Sequence, residues 1–254
     1  MISLKNEVEI KLLGEGGAIL AQVLEVLAKE AAVGMTGTQL DVRARELLES
    51  HGTKPSFLGY GSKGHPPFPA ALCVSVNDGV VHGLPNDIPF KDGDVVKLDL
   101  GLIYKGMYLD SAHTVLVGTP SIEAKKLSDV TREALKIGIE AAQYGNTTGD
   151  IGQAVQTYVE DQGFGVVRQL VGHGVGHAVH EEPSVPNFGK AGKGVKLEIG
   201  LVIAIEPMVT AGNPAVVTAS DGWTVKTGDG SLAAHEEHTV AITKDGPVIL
   251  TKVG

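Results

Sequence analysis

The sequence carries one helix–turn–helix plan twice, and this duplication restricts the folds that the chain can adopt. Apolar residues at helical spacing predict a helix over residues 7–30, and a second helix ends near Gly52 after a Gly-Thr turn that begins at Gly34. The same order recurs later, with the turn at Gly145 and the closing glycine at Gly163. Both features are displaced by 111 residues. The chain therefore contains an internal repeat.

The strand segments repeat as well. The stretch 92–99, D-G-D-V-V-K-L-D, corresponds to 199–206, I-G-L-V-I-A-I-E, and each runs from a glycine turn through an apolar strand to a carboxylate. We expect one catalytic domain over residues 1–254, made of two equivalent halves at about 7–118 and 123–250. The predicted class is α+β, with helices followed by antiparallel strands in each half and the two carboxylates meeting near a local twofold axis.

Two neighbouring strands in residues 95–117 carry a pair of aspartates. The Lys-Gly pair at 105–106 suits a two-residue hairpin turn, and that turn would place Gly101 opposite Asp110. Asp99 then lies on the same face, one diagonal step away, at roughly 7 Å between Cβ atoms. Carboxylates in so apolar a hairpin must bind a proton or face cations, because the strands leave them little water. The pattern favours a metal site.

Composition and charge exclude several classes of function. The 254 residues are 43% hydrophobic, enough for a full core, and a net charge of −9 without any Lys/Arg run argues against a nucleic-acid or anionic-membrane surface. No stretch approaches the roughly 18 apolar residues of a membrane span, and the N-terminus shows no apolar signal region. A single cysteine excludes an intrachain disulfide framework. We expect a cytoplasmic protein that binds neither nucleic acid nor membrane.

Histidines beside glycines are the next candidates. His82 follows an apolar strand and precedes a Gly-Leu-Pro turn, which leaves a structural role and a place in the site both open. Glycines on either side of His173 leave room for close approach to a metal or substrate, and His180 precedes an acidic bend. His177 is interpreted as a solvated loop residue. The spacing is not H-E-x-x-H, so a helical zinc-peptidase site is not indicated.

Further carboxylates lie at the ends of strands. Glu206 closes an apolar strand, where either a metal or a salt bridge would hold it. In the run H-E-E-H-T, successive residues point to opposite faces, so only one of Glu236 and Glu237 can face the site. Alternation alone does not decide which. The Gly- and Pro-rich loop 59–69 is either a surface loop or a wall of that site.

In their order and spacing, these motifs resemble those of type I methionine aminopeptidases over essentially the whole chain. They are V-V-H-G-L-P, D-L-G with a second Asp eleven residues on, G-H-G-V-G-H-A-V-H-E-E-P, I-E-P-M and W-T-V-K-T-G-D-G-S-L-A-A-H-E-E-H-T. The resemblance implies the pita-bread fold, in which two pseudo-twofold-related αββ halves surround a dinuclear metal site. Carried over by position, the implied metal ligands are Asp99, Asp110, His173, Glu206 and Glu237.

The resemblance also implies an activity. Such an enzyme is a metallo-exopeptidase that removes the N-terminal methionine from nascent proteins and peptides, by attack of a metal-bridged water on the first peptide bond. Glu206 would serve as the general base, and His82 and His180 would contact the carbonyl, the oxyanion or the amide nitrogen of the substrate. The residues implied to line the methionine pocket are Phe68, Cys73, Val179 and Trp223.

Two divalent ions are implied as cofactors. Four carboxylates and one neutral imidazole offset the charge of two such ions, and oxygen-rich ligation favours Mn, Fe or Co, while the imidazole also admits Zn. The expected partner is a peptide or nascent-chain N-terminus that begins with Met and a small second residue, with a transient contact to the ribosome. The chain is expected to be a monomer.

Some positions depart from the family pattern, and two alternatives stay open. Val179 stands where an aromatic residue is common, Glu236 stands where an apolar or aromatic residue is usual, and the loop 59–69 is longer than in the shortest members. One alternative is a relative of prolidase or aminopeptidase P, which shares the fold and ligands but usually has an extra N-terminal domain. The other is an inactive pita-bread domain that serves as a binding module, although such proteins lose ligands.

Overall fold

Side-chain caps start the helices where the sequence pattern predicts. The computed structural model describes residues 2–61 and 66–253, and the helices within them are Glu7–Glu30, Gly37–Ser50, Ile122–Ala141 and Thr148–Asp161, here α1 to α4. The Asn6 side chain accepts hydrogen bonds from the backbone N–H groups of Val8 and Glu9 at the start of α1. The Glu9 carboxylate accepts from the Asn6 N–H in return, which completes a capping box.

The turns that precede α2 and α4 share one geometry. Thr36 and Thr147 are the N-cap residues of these helices, and each forms a capping box. Gly34 and Gly145 have φ angles of +90° and +89°, a left-handed conformation that glycine adopts at little cost. Two equivalent halves would contain such matched turns. The turns therefore support the proposal that the single domain consists of two halves.

The strands form antiparallel sheets. In chain order, β1 to β15 are Lys54–Pro55, Leu72–Val76, Gly79–Val81, Val95–Tyr104, Met107–Leu116, Gly165–Val166, Gly172–Gly174, Glu181–Val185, Val202–Ile205, Met208–Thr210, Val216–Thr218, Val225–Thr227, Ala233–His235, His238–Thr243 and Gly246–Ile249. One sheet has the order β1-β4-β2 with β5 paired to β4, and another has the order β15-β14-β9-β7-β8. Two three-stranded sheets, β13-β10-β6 and β11-β12-β3, complete the arrangement.

The central hairpin has the predicted register. Lys105 and Gly106 form the turn between β4 and β5 with φ angles of +49° and +87°, as a primed turn requires. Gly101 pairs with Asp110, so Asp99 and Asp110 lie on one face as expected. The local turn chemistry is therefore sufficient to set the pairing of this hairpin.

Helices cover the outer faces of both large sheets. α1 packs on β4 and β5 and buries Leu13, Leu20 and Leu27 completely. α3 packs alongside α4, and its Leu135 and Ile139 join the core over β9 and β14. Among the described residues, no helix has both the length and the apolar character needed to cross a membrane.

A contact between β5 and β14 joins the two large sheets. Ala112 and Glu237 form an isolated antiparallel bridge, and the Glu237 N–H donates to the Ala112 carbonyl at 3.0 Å. The Thr239 hydroxyl donates to the Asp110 carbonyl at 2.7 Å. Because both contacts flank carboxylates, the junction brings the acidic ends of the two sheets together.

Candidate metal centre

The central hairpin supplies one wall of the site. Asp99 and Asp110 are 7% and 4% exposed, and no hydrogen-bond partner among the described residues reaches Oδ1 of either one. Oxygen atoms of Asp99, Asp110 and Glu237 all lie within 4.8 Å of one another. Buried carboxylate oxygens left without donors carry a large desolvation cost, which a cation between them would offset.

The second large sheet supplies the opposite wall. Glu206 follows β9, Glu237 precedes β14 and His173 lies in β7, and these strands are neighbours in the sheet. Nε2 of His173 is 3.5 Å from Oε1 of Glu206 and 3.9 Å from Oδ2 of Asp110. Ligand atoms of His173, Glu206 and Glu237 also lie within 4.8 Å of one another. The structure thus brings all five predicted ligand positions together.

Glycines beside His173 have a packing role. A Cβ at Gly172 would overlap the carbonyl oxygen of Ala204 in β9, and a Cβ at Gly174 would overlap that of Glu182 in β8. Glycine at both positions therefore allows β7 to lie close between its neighbours. The sequence pattern predicts open space for a metal or substrate on both sides of His173, whereas backbone of the adjacent strands occupies that space.

Burial shifts the pKa values of the acidic groups, which lie close together in this site. Desolvation raises the pKa of Asp99 to about 6. It also raises the pKa values of Asp110 and Glu237, and the neighbouring carboxylates add to the effect. Desolvation acts to raise the pKa of Glu206 too, but the nearby imidazoles of His235 and His173 outweigh it, so this pKa is lowered. The donor set therefore fits divalent cations, which would replace the protons on these groups.

Two further histidines face the same cavity. His82 follows β3 with a φ angle of +57°, and Gly83 is required next to it because a Cβ there would overlap the carbonyl oxygen of Val74. The ring of His180 lies 4.3 Å from that of His173, centroid to centroid. Desolvation lowers the pKa of His82, and desolvation with the nearby His173 lowers that of His180 to about 4. Both imidazoles are neutral at pH 7.

An apolar chamber adjoins the carboxylates within a cavity of about 580 Å³. Phe68, Cys73 and Trp223 line it, and the rings of Phe68 and Trp223 meet edge to face at 5.1 Å. Val179 is buried in the same apolar cluster but is not among the residues that line the cavity. That Val179 forms part of the pocket wall stays a prediction, which its packing in one cluster with Phe68 and Trp223 supports.

The loop 59–69 forms part of this chamber. The Phe68 N–H donates to the Tyr60 carbonyl at 2.7 Å, and the Gly59 N–H donates to the Phe68 carbonyl at 2.9 Å. Tyr60 and Phe68 both line the cavity. The loop is thus a wall of the site in its described part, whereas residues 62–65 lie outside the described residues.

Glu236 and Glu237 point to opposite sides. Oε2 of Glu236 lies 2.9 Å from Nδ1 of His113, and Oε1 lies 3.6 Å from the Arg132 guanidinium on α3. Glu237 faces Asp99 and Asp110 instead. The unusual acidic residue at 236 is therefore accommodated by basic groups behind the metal centre.

His177 lies outside the site, as interpreted from the sequence. Its side chain is 44% exposed, and its Nε2 lies 2.8 Å from Oε1 of Glu9 on α1. Its Nδ1 lies 2.8 Å from the Ser3 hydroxyl. The residue connects the loop after β7 to the N-terminal segment.

The site also includes residues that the sequence did not predict, among them His235, Phe57 and Tyr60. His235 is 1% exposed and places Nε2 at 3.7 Å from Oε2 of Glu206, while Phe57 and Tyr60 line the cavity. His235 had a detectable signal, because it lies two residues before Glu237 and two-residue spacing along a strand keeps side chains on one face. No pattern marks Phe57 or Tyr60, since irregular loop structure brings them to the cavity.

Comparison with known proteins identifies the family. The sequence profile described as metallopeptidase family M24 matches residues 11–244. This chain belongs to that family. A methionine aminopeptidase of Clostridium perfringens is 50% identical to this chain over 254 residues, and the alignment covers both chains completely. The predicted metallopeptidase character is therefore confirmed.

Solved structures of family members agree. The crystal structure of methionine aminopeptidase from Thermotoga maritima superposes on this chain with a TM-score of 0.95 and 43% sequence identity. The superposition covers 99% of this chain and 100% of the Thermotoga maritima chain. A prolidase from Pyrococcus horikoshii matches 99% of this chain but 64% of its own, at a TM-score of 0.77 and 25% identity. The fold is the pita-bread architecture, and among these family members the chain resembles methionine aminopeptidases more closely.

Proposed function

We propose that this chain is a metal-dependent methionine aminopeptidase that hydrolyses the first peptide bond of chains beginning with Met. The observation that carries the proposal is the convergence of five ligand-type side chains beside an apolar chamber, where three of them have buried oxygens that no donor among the described residues reaches. The full-length relatives named methionine aminopeptidase support the same activity.

Two divalent ions would be held by the five converging side chains. These are Asp99, Asp110, His173, Glu206 and Glu237. Their four carboxylates and one imidazole match two dications in charge, and the set suits Mn, Fe, Co or Zn. When bound, such a pair lowers the pKa of water and polarises a carbonyl group.

Protein side chains would handle the protons. Glu206 is ionised because its pKa is lowered, so its carboxylate accepts a proton from the attacking water and passes it to the leaving amine nitrogen. His82 and His180 are neutral and donate hydrogen bonds, which hold the scissile amide and the developing oxyanion. These three roles require no nucleophilic Ser or Cys. Burial together with the charge of Asp99 raises the pKa of Cys73 well above its usual value, which keeps this thiol protonated.

The apolar chamber would bind the methionine side chain. Phe57, Phe68 and Trp223 present aromatic surface, with which a thioether sulfur makes favourable contacts. Charged first residues would be rejected, because the aromatic surface of the chamber would not offset their desolvation.

The proposal extends to the setting of the reaction. The substrate is a peptide or nascent-chain N-terminus with Met followed by a small residue, processed in the cytoplasm during a transient contact with the ribosome. The enzyme acts as a monomer. These points follow the family resemblance, and the net charge of −9 agrees with a site that does not bind nucleic acid specifically.

A prolidase-like activity is less well supported. The chain spans 64% of the Pyrococcus horikoshii prolidase but the full length of the Clostridium perfringens relative.

One assay separates these activities. Purified protein is treated with chelator and then supplied with Mn²⁺ or Co²⁺, and cleavage of Met-Ala-Ser is compared with cleavage of Ala-Pro. We expect no cleavage without metal and recovery on Met-Ala-Ser after metal is added. Full activity of metal-free protein, or preference for Ala-Pro, would contradict the proposal.

A further inference from the structure

A row of buried polar side chains crosses the first large sheet behind the metal centre. Ser75 in β2 pairs with Lys97 in β4, and Lys97 pairs with Thr114 in β5, so the three side chains share one face. They are 2%, 1% and 2% exposed. Asp99 lies two residues after Lys97 on the same strand, so the row is one step behind the ligands.

Lys97 is the centre of the row. Its ammonium donates to the carbonyl oxygen of Asn77 at 2.9 Å and to that of Val95 at 3.2 Å. Burial lowers the pKa of Lys97 to about 7. The Asn77 carbonyl also accepts from the N–H of Ala233 at the start of β13. The ammonium therefore connects β4 to the turn between β2 and β3 and, through that turn, to the strand before Glu237.

Thr114 holds the neighbouring strand from the other side. Its hydroxyl donates to the His235 carbonyl at 2.6 Å and accepts from the His235 N–H at 3.0 Å. Both backbone polar groups of His235 thus depend on one side chain. Since Glu237 is only two residues further on, any shift of this segment moves a proposed ligand.

Ser75 makes the equivalent contact next to His82. Its hydroxyl accepts from the N–H of Gly83 at 3.0 Å. The φ angle of +57° at His82 is uncommon for a residue with a side chain, so the segment needs contacts that hold it.

We infer that Ser75, Lys97 and Thr114 form a positioning row that sets the places of His82 and Glu237 relative to Asp99. The inference rests on the proposed function. An apolar row of similar volume would pack in the same place without the cost of burying an ammonium group. What distinguishes the polar row is its side-chain hydrogen bonds. Each one that the structure shows goes to a backbone group in a segment that leads to Asp99, His82 or Glu237.

The test compares three variants of the row with one core variant. Thr114→Val keeps the side-chain shape and removes both contacts to His235, whereas Thr114→Ser keeps the hydroxyl. Lys97→Met keeps the length of the side chain and removes the ammonium. Leu98→Ala serves as the control, because Leu98 is fully buried on the opposite face of β4. Circular dichroism first establishes the temperature at which all variants are folded.

Calorimetric titration of chelator-treated protein with Mn²⁺ and steady-state kinetics on Met-Ala-Ser give the readouts. We expect Thr114→Val to weaken Mn²⁺ affinity about 10- to 100-fold, the range seen when partners of metal ligands are lost, and Thr114→Ser to restore most of it. Lys97→Met should lower kcat about 10-fold with KM within about twofold, since it frees the Asn77 carbonyl in the turn that leads through β3 to His82 and removes no ligand. Leu98→Ala should lower Tm alone.

The outcomes separate this inference from the proposed function. If Thr114→Val and Lys97→Met lower Tm but leave Mn²⁺ affinity and kcat at the wild-type values, as in the control, the row has no positioning role. If the wild-type protein binds Mn²⁺ but does not cleave Met-Ala-Ser, the proposed function fails. A loss of Mn²⁺ affinity in Thr114→Val would then still support the row.

Discussion

The phenolic oxygen of Tyr60 lies 2.7 Å from Nδ1 of His180. Desolvation raises the pKa of Tyr60 and lowers that of His180 to about 4, so a protonated hydroxyl meets a neutral imidazole at pH 7. When Nδ1 accepts from the hydroxyl, the proton of His180 lies on Nε2. This tautomer is the one that can donate to a substrate oxygen.

Tyr60→Phe should therefore reduce kcat about 10-fold, because it removes the group that selects the tautomer of His180. Kinetics on Met-Ala-Ser and ¹⁵N NMR of the His180 ring would measure the two effects. Tyr108→Phe is the matched control, since Tyr108 packs on the same apolar cluster. An unchanged tautomer population in Tyr60→Phe would show that the hydrogen bond has no such role.

Glu237→Gln should abolish most activity and weaken metal affinity, whereas Glu236→Gln should leave kcat within a few-fold of wild type. Glu237 faces the buried aspartates, and Glu236 faces His113 and Arg132. Metal titration and kinetics of both variants give the ranking. The reverse order would mean that the ligand assignment at this strand is wrong.

His82→Ala and His180→Ala should each retain metal and lower kcat by about 10²-fold, the usual scale for loss of a proton-transfer or oxyanion-stabilising group. Bound metal is measured by elemental analysis of dialysed protein. Loss of metal from either variant would place that histidine among the ligands.

Metal affinity should fall as the pH drops below about 6. Asp99 has a pKa raised to about 6, and the pKa values of Asp110 and Glu237 are also raised, so these groups hold protons that a metal must displace. Affinity should weaken by up to about tenfold per pH unit for each proton displaced. Calorimetry in buffers of different ionisation enthalpy would count those protons. Affinity that is constant between pH 5 and pH 7 would contradict this account.

Trp223→Ala should reduce the preference for methionine over leucine at the first residue. A change of about one methylene in such a pocket is worth roughly 1–3 kcal/mol, so the ratio of kcat/KM values should fall about 10-fold. Val179→Phe should lower stability by about 1–3 kcal/mol, because Val179 is 4% exposed within the apolar cluster and a larger side chain would overpack it. Peptides Met-Ala and Leu-Ala and a thermal melt provide the measurements.

Local signals account for much of what the sequence predicts. The helix ends follow from caps, and the register of the β4–β5 hairpin follows from the turn at Lys105 and Gly106. The pairing of Gly101 with Asp110 is a consequence of that turn alone. The family and the fold follow from motif order and are confirmed by full-length relatives.

Contacts between distant segments decided the rest. Which of Glu236 and Glu237 faces the metal centre depends on where α3 and β5 pack. His113 in β5, which contacts Glu236, is more than 100 residues away from it in the sequence. The apolar cluster around Val179 likewise collects side chains from several separate segments.

The sequence by itself determined the hairpin, the helices, the pair of aspartates and the family, because turn geometry, caps and motif spacing act over short stretches of chain. Only the tertiary structure decided the partners of Glu236 and the contacts of Lys97. Each of these depends on how the two large sheets meet, which buries charged groups among backbone carbonyls that no local pattern specifies.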